Sequence, residues 1–240
     1  MSMHNSRIDY PGMPGAMDNI DLVIFDCDGV LIDSEPIASR TLAETLQGAG
    51  IAISAAEAHA KFTGNSESII AEMCRRDYGI IDIAELFQTW HLHLFDEFAR
   101  SLTPIPGISA IVHNLNRPKC VASNSTMQRL RNSLGKLDLW TAFGDGVFSA
   151  EVVPRPKPAP DLLLHCAERF RARPAKCVMI DDSPHGVAAA VAAGMTAVGF
   201  VDPADPRPGR RAVLDAAGAV AIATGADELA AILENVGERL

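Results

Sequence analysis

This sequence predicts a doubly wound α/β fold: a parallel sheet with helices on both faces, and a helical segment inserted after the first strand. Three observations lead there. Six short apolar runs are bounded by polar or turn residues. Helical patterns lie between most of them, the alternation that produces parallel strands joined by helical crossovers. One stretch, from about Ile37 to Leu102, breaks the alternation with helical patterns alone.

The first run, Asp21–Asp26, opens the core. The inserted stretch follows, with helical patterns at Arg40–Gln47, Glu67–Tyr78 and Ile83–Ala99. It is entered through Asp33-Ser34-Glu35-Pro36 and left through Thr103-Pro104-Ile105-Pro106-Gly107. Both junctions hold proline, which favours bends. Extra helices packed on one sheet face would give the same pattern, but crossovers this long are rarely plain connections. Ile108–Asn116 is a helix leading into the second run, Lys119–Ser123, and Ser125–Leu134 is the helix leaving it. The third run is Val147–Ser149. Pro158–Phe170 is a helix ahead of the fourth run, Cys177–Asp181. In the next helix, Pro184–Ala193, Ser183 can cap, Pro184 suits the first position and Gly194 can close the end in a left-handed turn. Thr196–Phe200 and Ala219–Ile222 complete the strands, and Asp227–Leu240 reads as a charged terminal helix.

Composition narrows the function. The chain has 240 residues, 48% of them hydrophobic, which suits one main domain with a modest insertion. A net charge of -9 argues against nucleic acid, which is bound by clustered lysine and arginine. Five cysteines without a C-x-x-C pair read as reduced and structural, as in a cytoplasmic protein. Residues 1–20, with Pro11, Gly12, Pro14 and Gly15, read as a flexible tail and not a secretory signal. The uncharged run Gly186 to Val201 is too short to span a membrane and is split by Gly194.

The chemistry sits at the strand ends, where open parallel sheets bind ligands. Asp26 and Asp28 follow the first strand, and strand alternation aims both to one side. Ser123, Asn124 and Ser125 follow the second strand. Lys157 comes after the third, within Pro154-Arg155-Pro156-Lys157-Pro158, and Asp181 and Asp182 close the fourth. Taken singly, each has a bland reading: a helix cap, a surface lysine, a strand terminus. Taken together, they supply hard oxygen ligands of the kind Mg²⁺ accepts, phosphate-binding donors and a fixed cation. Those are the needs of phosphate monoester hydrolysis, in which a carboxylate nucleophile splits the reaction through an aspartyl-phosphate.

The run Asp26-Cys27-Asp28-Gly29-Val30-Leu31-Ile32-Asp33-Ser34-Glu35 resembles the first motif of the haloacid dehalogenase-like hydrolase superfamily. The match extends over nearly the whole chain from Asp21 and is similar to the branch that holds phosphoglycolate phosphatase and β-phosphoglucomutase. The resemblance implies a Rossmann-like catalytic core at 21–36 and 103–240 and a small helical cap domain at 37–102. It implies that Asp26 is the nucleophile and a Mg²⁺ ligand. Asp28 would be general acid and base, its backbone carbonyl on the metal. Ser123, Asn124 and Lys157 would hold the phosphoryl group. Asp182 would bind Mg²⁺ directly and Asp181 through a water. In the cap loop Phe62-Thr63-Gly64-Asn65-Ser66-Glu67, Gly64 and Asn65 would meet the substrate. Members that dehalogenate, and phosphonatase-like members, replace the second aspartate; this chain keeps Asp28. Glu67 stands where the mutases place an arginine for a second phosphate, which favours a phosphatase over a phosphosugar mutase. Ser133-Leu134-Gly135-Lys136-Leu137, with Phe143, is similar to bacterial 6-phosphogluconate phosphatases and points to a phosphorylated sugar or sugar acid. A receiver-like binding module, the remaining alternative, fits the acids but not the helical insertion. His91 and His93 lie two apart and share no helix face, whereas Trp90, Leu94 and Phe98 recur at the spacing of a buried stripe. His185 reads as a solvated first-turn residue.

Overall fold

The structure, a computed structural model, describes residues 20–63, 65–205 and 207–235. Of the tail expected over residues 1–20, only Ile20 is described; it is buried, so the core takes it in. The six strands are β1 (Leu22–Phe25), β2 (Lys119–Ser123), β3 (Val147–Ser149), β4 (Cys177–Asp181), β5 (Thr196–Val201) and β6 (Ala221–Thr224). They form one sheet in the order β3-β2-β1-β4-β5-β6, every pair parallel. The chain winds outward from β1 in one direction and, from β4, in the other. The acid-bearing strands β1 and β4 are therefore neighbours at the point of reversal, where doubly wound sheets bind ligands.

Alternate strand residues face opposite layers. Val23, Phe25, Val121, Val178, Ile180, Val198 and Phe200 enter one buried cluster. Leu22, Ile24, Cys120, Ala122, Cys177, Met179 and Ala197 enter the other. Helices α8 (Asp161–Phe170), α9 (Pro184–Ala192) and α10 (Arg210–Ala216) cover the second face. On the first lie α5 (Ile108–Asn114), α6 (Met127–Asn132), α7 (Leu139–Phe143) and α11 (Gly225–Asn235). All five cysteines are buried and free, and no described helix is long and apolar enough to cross a membrane.

Between β1 and β2 the chain forms four helices: α1 (Glu35–Gly48), α2 (Ala55–Phe62), α3 (Glu67–Tyr78) and α4 (Ile83–Ser101). The two connecting strips run side by side, with Asp33 N donating to Thr103 O at 3.0 Å and Ile105 N to Leu31 O at 3.1 Å. Trp90, Leu94 and Phe98 form the buried stripe of α4, and the Trp90 indole donates to Thr41 Oγ1 on α1 at 3.1 Å. His91 and His93 diverge as their spacing predicts, one to Glu67 and the other to Glu44. The apolar cluster runs without a break from Val23 and Phe25 through Leu31, Ile32 and Leu102 to these helices.

Several boundaries differ from expectation. Strand β6 begins two residues later than the predicted Ala219–Ile222, although Val220 N already donates to Ala197 O at 2.9 Å. Helix α8 begins at Asp161, because Pro158 and Pro160 disfavour helical backbone at the residues before them, Lys157 and Ala159. Helix α6 is shorter than Ser125–Leu134 and is capped by Thr126, whose hydroxyl accepts from Arg129 N. The terminal helix is described only as far as Asn235.

Candidate active site

The backbone delivers Asp26 and Asp181 side by side. Phe25 pairs with Ile180, and Asp26 N donates to Ile180 O at 2.9 Å, so the two strands end together. Ligand oxygens of Asp26, Asp181 and Asp182 all lie within 4.8 Å of one another. All three residues are buried. Lys157, 5% exposed, reaches in from the loop between β3 and α8. Its Nζ donates to Asp26 Oδ1 and Asp181 Oδ2, each at 2.8 Å, and to Ala122 O at 3.0 Å.

Asn124 sets that lysine in place. Its Nδ2 donates to Lys157 O at 2.9 Å, and its Oδ1 accepts from Lys157 N at 3.0 Å. This reciprocal clamp carries the loop onto the end of β2. Beside it, buried Ser123 turns its Oγ to accept from Ser125 N at 3.1 Å.

Two glycines are dictated by close approach. Gly29 has φ +77°, and a Cβ there would lie 2.8 Å from the Asp182 carboxyl. A Cβ on Gly186, in the first turn of α9, would fall inside the Asp181 carboxyl group. Asp181 is held against that turn by Ser183, whose N and Oγ each donate to Oδ1 at 2.8 Å. Ser183 also caps α9, accepting from Gly186 N.

Asp28 turns to different partners. Its oxygens accept from Ser34 Oγ, from Ser125 Oγ at 2.8 Å and from Arg129 Nη2 at 3.3 Å. The alternation that would aim Asp26 and Asp28 to one side does not bring the Asp28 carboxyl into the three-acid cluster. Strand β1 stops at Phe25, so alternation no longer governs Asp28.

The electrostatics follow from burial. Asp26 is pushed well above the ordinary carboxylate range by burial, with the charges of Asp181 and Asp182 adding to it and Lys157 opposing. Asp182 is raised in the same way by burial and by Glu35 and Asp181, against Arg207 and Arg210. Burial also acts to raise Asp28, but Arg129 and the hydroxyls of Ser34 and Ser125 outweigh it and hold the carboxyl low. Lys157 stays above the usual lysine range because the two aspartates override its burial. Ionising all three acids would put more negative charge there than Lys157 balances, which adds to burial in pushing Asp26 and Asp182 up. The cluster's donor set is all hard oxygen, so a divalent cation such as Mg²⁺ fits.

These residues open onto a cavity of about 380 Å³ between the strand ends and α1 to α4. Asp26, Asp28, Ser123, Asn124, Lys157 and Asp182 line it, as do Asn65 and Glu67. Asn65 spends its amide nitrogen on carbonyls ending α2, Phe62 O at 3.2 Å and Lys61 O at 3.4 Å. Gly64 lies outside the described residues. Exposed His185 also borders the cavity.

The model of haloacid dehalogenase-like hydrolases matches residues 20–194. The chain belongs to the haloacid dehalogenase-like hydrolase family. Within the family it is 32% identical over 194 residues to the 6-phosphogluconate phosphatase of Escherichia coli K12, covering 79% of this chain and 86% of that protein. It is 33% identical over 178 residues to the fructose-1-phosphate phosphatase YqaB of the same strain, covering 73% and 94%. A conserved haloacid dehalogenase-like protein of unknown function from Agrobacterium tumefaciens shares the fold with a TM-score of 0.78. It is 33% identical, with 91% of this chain and all of that chain covered.

Sequence reading missed five residues that pack onto the acids of this site. Arg129 and Ser34 hold Asp28. From the segment after β5, Arg207 Nη2 lies 3.4 Å from Asp182 Oδ2 and 3.1 Å from Glu35 Oε2, and Arg210 donates to the Asp182 carbonyl. Burial pushes the Glu35 carboxyl up to about 7 in spite of Arg207. Ser34 and Glu35 lie inside the quoted motif and were readable there. The three arginines carry no motif and arrive only through tertiary packing.

Proposed function

We propose that this chain is a cytoplasmic, Mg²⁺-dependent phosphatase of small phosphorylated sugars or sugar acids, working through an aspartyl-phosphate on Asp26. The observation that carries the reading is the meeting of Asp26, Asp181, Asp182 and Lys157 at one end of the sheet. The named phosphatases among its relatives and the five free thiols support it.

Asp26 attacks phosphorus, and Lys157 fixes its carboxylate while offering a positive charge to the phosphoryl oxygens. Ser123 and Asn124 complete the phosphate end of the cavity. Asp28 serves as general acid and base: the negative charge of the bound phosphate lifts its low carboxyl so that it can carry a proton to the leaving oxygen, and it then takes one from the water that clears the acyl phosphate. Asp26, the Asp28 carbonyl and Asp182 would hold Mg²⁺, with Asp181 acting through a water, and the ion supplies charge neutralisation to the phosphate when bound. The segment 37–102 serves as a cap that closes the cavity and excludes water. Glu67, paired with His91 at 3.0 Å, puts an acid where a mutase needs a cation, which supports hydrolysis over transfer.

The test is phosphate release from p-nitrophenyl phosphate and a sugar-phosphate panel, with and without Mg²⁺. Wild type is active only with the ion, and Asp26→Asn falls to background. An Asp26→Asn protein as active as wild type would remove the nucleophile from this scheme.

A further inference from the structure

We propose that Arg129 reads a carboxylate on the substrate, so that the preferred substrates are phosphorylated sugar acids and not neutral sugar phosphates. The proposal rests on the phosphatase reading and names its substrate class. Among the described residues lining the cavity, Lys157 and Arg129 are the only lysine or arginine. Lys157 is committed to the acid cluster. Arg129 stands apart from it, at the first turn of α6, and its side chain is only 12% exposed. Its guanidinium carbon lies 5.7 Å from the centre of the Phe98 ring, which backs one face of the fork.

The donor count is what points to a ligand. A guanidinium has five N–H groups. In the described structure Arg129 gives one side-chain hydrogen bond, from Nη2 to Asp28. Its Nε is buried without a partner, one of two such side-chain atoms among the described residues. Buried donors are nearly always satisfied, and leaving one unmade is costly. Arg129 lines the cavity, so the remaining terminal N–H groups of its fork are the ones an entering anion can meet, and a planar carboxylate matches the two terminal nitrogens two bonds at a time. A second phosphate would also be an anion. Asp28 and Glu67 stand close enough to Arg129 to shape its charge, and two carboxylates there repel a dianion more than a monoanion. The cavity, at about 380 Å³, suits one small metabolite with a phosphate at one pole and a carboxylate at the other.

The experiment compares kcat/KM for 6-phosphogluconate and glucitol 6-phosphate, which differ only in carboxylate against hydroxymethyl. Wild type favours the acid by about 10- to 100-fold, the size of one charge-assisted contact. Arg129→Gln brings the ratio near one, mainly through KM for the acid, and Arg129→Lys restores part of it. Any loss of turnover through Asp28 falls on both substrates and cancels in the ratio. Inhibition of wild type by gluconate and by glucitol gives the same comparison without a variant, and gluconate is the stronger inhibitor. A wild-type ratio near one, equal inhibition, or an unchanged ratio in folded Arg129→Gln overturns the assignment. A preference for fructose 1,6-bisphosphate over 6-phosphogluconate overturns the choice of carboxylate. Release from glucitol 6-phosphate without acid preference leaves the phosphatase standing; no release from either substrate or from p-nitrophenyl phosphate removes both.

Discussion

Replacing Gly186 by alanine adds one methyl group and brings it into the Asp181 carboxyl. That carboxylate is fully buried and held by three donors at 2.8 Å: Lys157 Nζ, Ser183 N and Ser183 Oγ. The methyl cannot yield, since the backbone of α9 fixes its position, so Asp181 must leave its anchors. Breaking a buried ion pair on one side costs about 3–5 kcal/mol. Alanine in a helix interior returns about 0.5–1 kcal/mol over glycine. The net expectation is a loss of about 2–4 kcal/mol in urea unfolding. Gly48 is the control. It ends α1 on an exposed turn with nothing within 4 Å of a built Cβ, so Gly48→Ala is stabilising by about 0.4–1 kcal/mol. Because Asp181 carries Lys157 with it, phosphatase turnover by Gly186→Ala falls by about 10²-fold, the usual consequence of a 1 Å misplacement. A Gly186→Ala protein as stable and as active as wild type would refute the packing of Asp181 against α9.

Glu35 gives a pH signature. The folded state holds its proton more tightly than the unfolded chain does, so wild-type stability declines as pH climbs from about 4.5 to about 7. Other raised acids share that decline. In metal-free buffer Glu35→Gln makes it shallower, and the curves separate by about 3 kcal/mol by pH 8; parallel melting curves across this range would contradict the assignment. Trp90→Phe removes a buried donor from Thr41 and costs about 1–3 kcal/mol in urea unfolding, whereas an unchanged midpoint would mean the indole hydrogen bond contributes nothing.

The sheet was legible because strands buried on both faces are continuous apolar runs, and β1, β2, β4 and β5 are such runs. Edge strand β6 is weaker in sequence and was placed two residues early. Helix α2 was not predicted, although Ser54-Ala55-Ala56-Glu57 is a capping box and the structure forms both of its bonds. Short α7 and α10 offered too few residues for a period to register. At the site, acids and the serine were readable because strand ends place them whatever the packing. Arg129, Arg207 and Arg210 were not: a long side chain on a helix or loop can point anywhere until the layers pack. Asp28 shows the limit from the other side, since it lies three residues beyond where the strand stops and alternation no longer applies there.

The bond from Asp26 N to Ile180 O makes the proposed nucleophile part of the central ladder and not of a surface loop. Its amide is sealed between β1 and β4, so it can trade its proton for solvent deuterium only when the whole molecule opens. Partial fraying of the rim would leave the nucleophile seated. Inactivation by heat or denaturant should then coincide with global melting, with no dormant yet folded species before it.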